Sequence, residues 1–240
     1  MPVFVISDLH LSLAGQNKSM EIFGGRWRGY VEKLEKNWNA LIEKSDSVIV
    51  PGDISWGETL ESCIEDFEFL NAGLNGTKYI LKGNHDFWWD TMTKMTRIFE
   101  KNNFNNIKIL HNNAYICENY IICGSRGWFS EKEDTENAHN EKILKREAGR
   151  LELSVQAAKK LNAAAPFPRE IIAFLHYPPV WGSYIYAPLI DVLGRFGIKR
   201  CYFGHVHNTT PQKIKIYNGI AFELIAADHL NFIPVKIPPV

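Results

Sequence analysis

Val3-Phe4-Val5-Ile6-Ser7-Asp8-Leu9-His10 is a β-favouring apolar run that stops at an acid and an imidazole, and the rest of the chain is read outward from it. A run this short is better suited to a strand than to a helix, and its unbroken apolar character fits burial on both faces. Similar runs follow at Val48 to Val50, Tyr79 to Leu81, Ile171 to Leu175 and Cys201 to Phe203. Helical periods lie between the first three: Val31, Leu34, Trp38 and Leu41, then Leu60, Ile64, Phe67 and Leu70. This alternation predicts an α/β protein with a largely parallel sheet.

Residues 107–124 and 213–225 carry a different pattern, short strands joined by Asn- or Gly-containing turns, which predicts hairpins. Two packed mixed sheets with outer helices accommodate both groups. Residues 128–168 open with a charge-rich stretch and continue as Leu144, Ala148, Leu151, Val155 and Ala158 at helical spacing. They read as a helical insertion, either a cap over a pocket, the preferred reading, or an apolar stripe packed on a sheet or a second subunit. The closing IPVKIPPV reads as an edge strand or extended tail. No boundary divides the chain, so residues 1–240 are expected to form one domain.

Composition removes several classes. Of 240 residues, 45% are hydrophobic and 22% charged, which excludes a disordered chain, a collagen-like repeat and a disulfide miniprotein. Twenty-seven Lys and Arg balance 27 Asp and Glu, so no stable nucleic-acid partner is expected, whereas a small phosphorylated substrate is compatible. Cys63, Cys117, Cys123 and Cys201 form no C-x-x-C pair, and three lie in apolar stretches. They read as buried hydrophobes in a reducing compartment, which makes a cytoplasmic location the expectation. The longest apolar strand run is far short of the roughly 18 residues a membrane helix needs.

Five polar clusters fall where apolar strands end: Asp8-Leu9-His10, Gly52-Asp53, Gly83-Asn84-His85-Asp86, His176, and Gly204-His205-Val206-His207. Strand C-termini are where α/β sheets place ligands. Singly, each cluster reads equally as a helix cap or a satisfied histidine. Together they bring carboxylates, an amide and five imidazoles to one sheet edge, a donor set suited to paired divalent Mn, Fe, Zn or Ni and to hydrolysis. In D-x-H and H-x-H, residues two apart on extended backbone share a side.

The ordered blocks D-x-H, G-D, G-N-H-D, a lone His and G-H-x-H, spanning Asp8 to His207, resemble the calcineurin-like metallophosphoesterases. The resemblance implies a four-layer α/β/β/α sandwich and two divalent metal ions. It implies Asp8, His10 and His207 as ligands of one ion, Asn84, His176 and His205 as ligands of the other, and Asp53 as the bridge. His85 would then stand free of metal beside the scissile phosphate, and Asp86 would orient its imidazole. The implied activity is hydrolysis of a small phosphomonoester or phosphodiester. The alternative is a metal-binding scaffold that has lost catalysis, which loss of His85 or a ligand would have signalled.

Two departures narrow the expectation. Purple acid phosphatases have an iron-binding tyrosine three residues after the G-D aspartate, and this chain has Trp56. Protein Ser/Thr phosphatases continue as G-D-x-x-D-R-G, whereas here Gly52-Asp53 is followed by Ile54-Ser55-Trp56-Gly57-Glu58. Arg126, among glycines after a strand, is a candidate for the substrate phosphate or a solvated turn residue. Trp56, Trp88, Trp89, Trp128 and Trp181, with Tyr184 and Tyr186, read as core packing or as an aromatic rim. His111, His139 and His229 are left without a role.

Overall fold

Four strands, β1 (Val3–Val5), β2 (Ser47–Pro51), β3 (Thr77–Leu81) and β4 (Ile107–Ile109), pair in parallel in the computed structural model. The structure describes residues 1–15, 19–128, 138–209 and 214–239, the side chains of 138 and 139 excepted. The three connections of the parallel set run through α1 (Tyr30–Leu41), α2 (Ile64–Glu68) and α3 (Met92–Lys101). A second sheet contains β5 (Ala114–Cys117), β6 (Tyr120–Ser125), β7 (Glu170–Leu175), β10 (Arg200–Phe203), β11 (Lys215–Tyr217) and β12 (Ile220–Leu224). Its order is β11-β12-β10-β7-β6-β5, parallel through the middle and antiparallel at both hairpin edges. A small hairpin, β8 (Val180–Trp181) with β9 (Tyr184–Ile185), precedes α5 (Ala187–Arg195). The Pro-rich end supplies β13 (Val235–Lys236), antiparallel to β1 at the first sheet's edge.

Side-chain alternation builds the layers. Phe4, Val48, Val50 and Ile80 join Leu34, Trp38, Phe67 and Met95 in a core between the first sheet and its helices. Val3, Val5, Ile49 and Leu81 project to the opposite face, where they meet Ile122, Ile172, Phe174 and Tyr202 of the second sheet. Beyond that sheet, Cys123, Ala173, Cys201 and Phe222 pack under α4 (Ala138–Ala164) and α5. The result is the expected α/β/β/α sandwich. All four cysteines are buried and unpaired, as their sequence context implied.

Two expectations change. Ile107–Ile109 does not enter a hairpin: Ile107 and Ile109 are buried with Phe99 and Phe104 in the helix-side core, so the segment adds a fourth parallel strand, and the hairpin begins at Ala114. The helix of the expected 128–168 insertion is the crossover between parallel β6 and β7. Its Ala148, Leu151, Val155 and Ala158 bury their stripe on the second sheet, so this part is an outer layer of the sandwich and not a cap. Residues 129–137 of that stretch lie outside the described residues.

Candidate metal centre

The parallel strands of both sheets end at one edge, and their exits carry the polar clusters. β1 leads to Asp8 and His10, β2 to Asp53, β3 to Asn84 and His85, β7 to His176, and β10 to His205 and His207. The exits are tied to one another. Asp8 N–H donates to Gly52 O at 3.1 Å, His10 N–H to Asp53 O at 2.9 Å, and His205 N–H to the Asp8 carboxylate at 3.0 Å. These bonds hold Asp8, His10, Asp53 and His205 at φ of 61°, 46°, 52° and 72°. That left-handed region costs a non-glycine residue about 1 to 2 kcal/mol. Backbone strain of this kind gathers where side chains must be aimed. Close approach of the loops also needs missing side chains: a Cβ on Gly83 would overlap Asp53, and one on Gly204 would overlap Ser7 and Asp8.

Among the described residues, two groups of donor atoms lie within 4.8 Å of one another: Asp8 with His10 and His207, and Asp53 with His176 and His205. Asn84 stands between the last two, its Oδ1 at 2.6 Å from His176 Nε2 and 2.9 Å from His205 Nδ1. Asp53 faces both groups, with Oδ2 at 3.6 Å from His10 Nε2 and Oδ1 at 3.5 Å from His176 Nε2. All seven residues expected as ligands are thus brought together. His85 is beside them without belonging to either group, its N–H donating to Asp53 Oδ1 at 2.8 Å.

The donor chemistry fits cations. Burial drives His176 and His205 down to about 3 and His10 well below its ordinary range, leaving neutral imidazoles at pH 7. His176 Nδ1 faces Pro51 O at 3.1 Å, which assigns its proton there and turns the Nε2 lone pair toward Asn84 Oδ1. Two lone pairs facing at 2.6 Å repel, and a cation bound by both atoms would relieve that repulsion. His10 Nε2 and His207 Nε2 face each other at 3.1 Å, and Asp53 Oδ2 is buried with no hydrogen-bond partner among the described residues. Burial also pushes the Asp8 and Asp53 carboxyls up, and Asp53 adds to the rise at Asp8. Divalent charge would offset both effects.

Asp86 does not do what was expected of it. Its carboxylate accepts from the N–H groups of Gly83, Asp53, Ile54 and Ser55 and from the Trp88 indole, at 2.7 to 3.3 Å. Those five donors turn it into the brace between the β2 and β3 exits, and His85 Nδ1 is buried with no hydrogen-bond partner among the described residues. Arg126 is engaged elsewhere as well. Its Nη2 is 3.6 Å from the buried Glu147 and its guanidinium lies over Trp128, while its backbone carbonyl receives the N–H groups of His176 and Tyr177.

The residue missed from sequence is Asp228. Its Oδ1 is 2.8 Å from His207 Nδ1 and its Oδ2 accepts Asn208 N–H at 2.8 Å, so it fixes the ring that presents Nε2 to His10 and Asp8. The signal was present, since the apolar character of β12 continues through Ile225, Ala226 and Ala227 and stops at this acid. Asp228→Asn is expected to weaken metal affinity by about 10- to 100-fold while the fold is kept. Competition with a chromophoric chelator, alongside circular dichroism, measures it.

The aromatic candidates divide. Trp88 and Tyr186 are buried, and Trp181 and Tyr184 pack on the second core. Trp89 lies against His111 and Trp128 against Tyr177. Trp56 touches the centre itself, stacked on His10 and beside His85. Trp27, not singled out from sequence, is buried edge-on to His10 and His207. His229 pairs with Thr209, and the His139 side chain lies outside the described residues.

Residues 1–209 match the family model described as Calcineurin-like phosphoesterase. The fold is similar to that of TT1561 of Thermus thermophilus, with 12% identity, a TM-score of 0.57, and 92% of this chain and 86% of that one covered. It is also similar to AQ665 from Aquifex aeolicus, a protein of unknown function, at 14% identity and TM-score 0.52 over 98% and 95% of the two chains. GAP50, titled the anchor in the inner membrane complex of Plasmodium, aligns at 12% identity and TM-score 0.52 over 95% of this chain and 72% of its own. No curated protein matches the chain.

Proposed function

The chain belongs to the calcineurin-like phosphoesterases, and from that premise we propose that it hydrolyses a small phosphomonoester or phosphodiester with two divalent metal ions. Asp8, His10 and His207 would hold one ion, Asn84, His176 and His205 the other, and Asp53 both. The observation that carries this reading is the Asp53 carboxylate, whose two oxygens face the two donor groups while Oδ2 has no hydrogen-bond partner among the described residues. Ions bound there supply charge neutralisation for phosphoryl oxygens and the acidity that lets water attack at neutral pH.

The remaining steps fall to the chain. His85 is half-buried, its Nδ1 is enclosed, and Nε2 is left as the nitrogen that gives a proton to the leaving oxygen when the ring is in its imidazolium form, which burial holds to the acidic side of the ordinary histidine range. Asp86 holds the β2 and β3 exits in register so that Asp53 and His85 keep their spacing. Arg126 contributes positive potential at His176 and would reach a phosphate by exchanging Glu147 for it. Both sheets supply donors to one centre, which supports treating residues 1–240 as a single domain. The zero net charge favours a compact phosphorylated substrate over an extended polyanion. No helix among the described residues is long and apolar enough to cross a membrane, and we propose a cytoplasmic location.

Chelated protein reconstituted with Mn, Ni, Zn or Fe is assayed on p-nitrophenyl phosphate and its bis ester. Metal-dependent turnover of either is expected, and the preferred one assigns monoester or diester chemistry. The competing reading, a metal-binding scaffold, draws on the anchor role in GAP50's title. Metal binding with no turnover on either ester, or on a wider panel of phosphorylated metabolites, would favour it.

A further inference from the structure

Once Asp86 is assigned to backbone amides, the orientation of His85 needs another source. Its main chain is anchored, with N–H on Asp53 Oδ1 at 2.8 Å and its carbonyl accepting Phe87 N–H at 2.9 Å. Its imidazole is not: Nδ1 has no partner among the described residues. What surrounds it is rings, with Trp56 at 4.3 Å between centroids, His10 at 5.5 Å and the exposed Phe87 at 6.2 Å.

We propose that Trp56 is the positioning residue for His85, an indole wall holding the imidazole in the place where a carboxylate was expected to hold it. Trp56 is itself well fixed. Its backbone N–H donates to Leu11 O at 2.9 Å, Leu11 and Ser55 bridge in parallel, and its ring is held by packing against the helix-side core, the indole Nε1 having no hydrogen-bond partner among the described residues. The same ring stacks on His10 at 5.1 Å with an interplanar angle of 27°. One rigid side chain therefore spans the distance between a donor of the metal centre and the proton donor. A ring wall limits where His85 can lie without placing an anion beside it.

The kinetic arm of the test rests on the phosphoesterase reading, and a spectroscopic arm stands without it. In the intact chain, the His85 ring protons, identified by their loss in His85→Ala, should show an upfield ring-current shift in NMR spectra of the metal-free and Zn-loaded protein. Trp56→Leu should remove the larger part of that shift and Trp56→Phe should keep most of it. In Mn-loaded protein Trp56→Leu should lower kcat by about 10- to 100-fold, the effect of displacing a reacting group by about an ångström. KM and metal per chain should hold, and Trp56→Phe should recover most of the rate. The loss should be larger on alkyl than on p-nitrophenyl esters, because poorer leaving groups depend more on the proton. His85 shifts unchanged in Trp56→Leu would overturn the proposal, as would a rate loss that tracks loss of metal. Absence of turnover in the unaltered protein would refute the phosphoesterase reading, and the NMR comparison would still decide the role of Trp56.

Discussion

Asp53→Asn is expected to bind fewer than two divalent ions per chain and to lose phosphoesterase turnover by more than the roughly 10- to 100-fold that removing an outer-shell partner costs. Asn keeps the shape and the acceptor for His85 N–H but gives up the charge and one metal-binding oxygen. The same change should raise the stability of the metal-free protein. Asp53 is buried, pushed up by burial, and its charge pushes up both Asp8 and Asp86. A carboxyl raised in the folded state stabilises while it is protonated and loses that contribution as pH rises from its unfolded value of 3.8 through its folded one. At neutral pH the metal-free protein is therefore strained by its own carboxylates, and the neutral side chain relieves part of that strain. Thermal melts should show the apo variant above apo wild type, with wild type alone gaining strongly on metal addition. A variant that melts lower without metal and gains as much with it would contradict this account of Asp53.

His85→Ala is expected to keep both ions and lower turnover by about 10² to 10⁴, the range for loss of a positioned proton donor. The separation follows from geometry, because His85 lies outside both donor groups while its backbone, retained in Ala, still meets Asp53. Metal analysis and steady-state kinetics on one preparation measure both. Equal loss of metal and rate would mean that His85 is a ligand.

Most of the site was legible because strand exits interrupt apolar runs with polar residues in a set order. Asp8, His10, Asp53, Asn84, His176, His205 and His207 all meet, and the strands that aim them begin within a few residues of the apolar runs that announced them. The role that the resemblance implies for Asp86 differs from the one the structure gives it, because standing next to His85 in the chain says nothing about where a carboxylate points. Four backbone amides and an indole on two loops claim it, and amides carry no sequence signature. Asp228 was missed because its partnership with His207 spans two strands whose pairing only the fold reveals. The helical stripe from Leu144 to Ala158 identified the element but not its layer, since a stripe packs equally well on a sheet or over a pocket. Ile107–Ile109 shows the same limit, its pattern being correct for a strand and silent about which sheet receives it.

The proposed centre is a pair of ions joined through Asp53. It is tested most directly by titrating chelated protein with Mn(II) while recording electron paramagnetic resonance and bound metal. Two ions per chain with an exchange-coupled spectrum, replaced in Asp53→Asn by an uncoupled signal at lower occupancy, is the expected result. Saturation at one ion per chain, or two ions that remain magnetically independent in the unaltered protein, would contradict it.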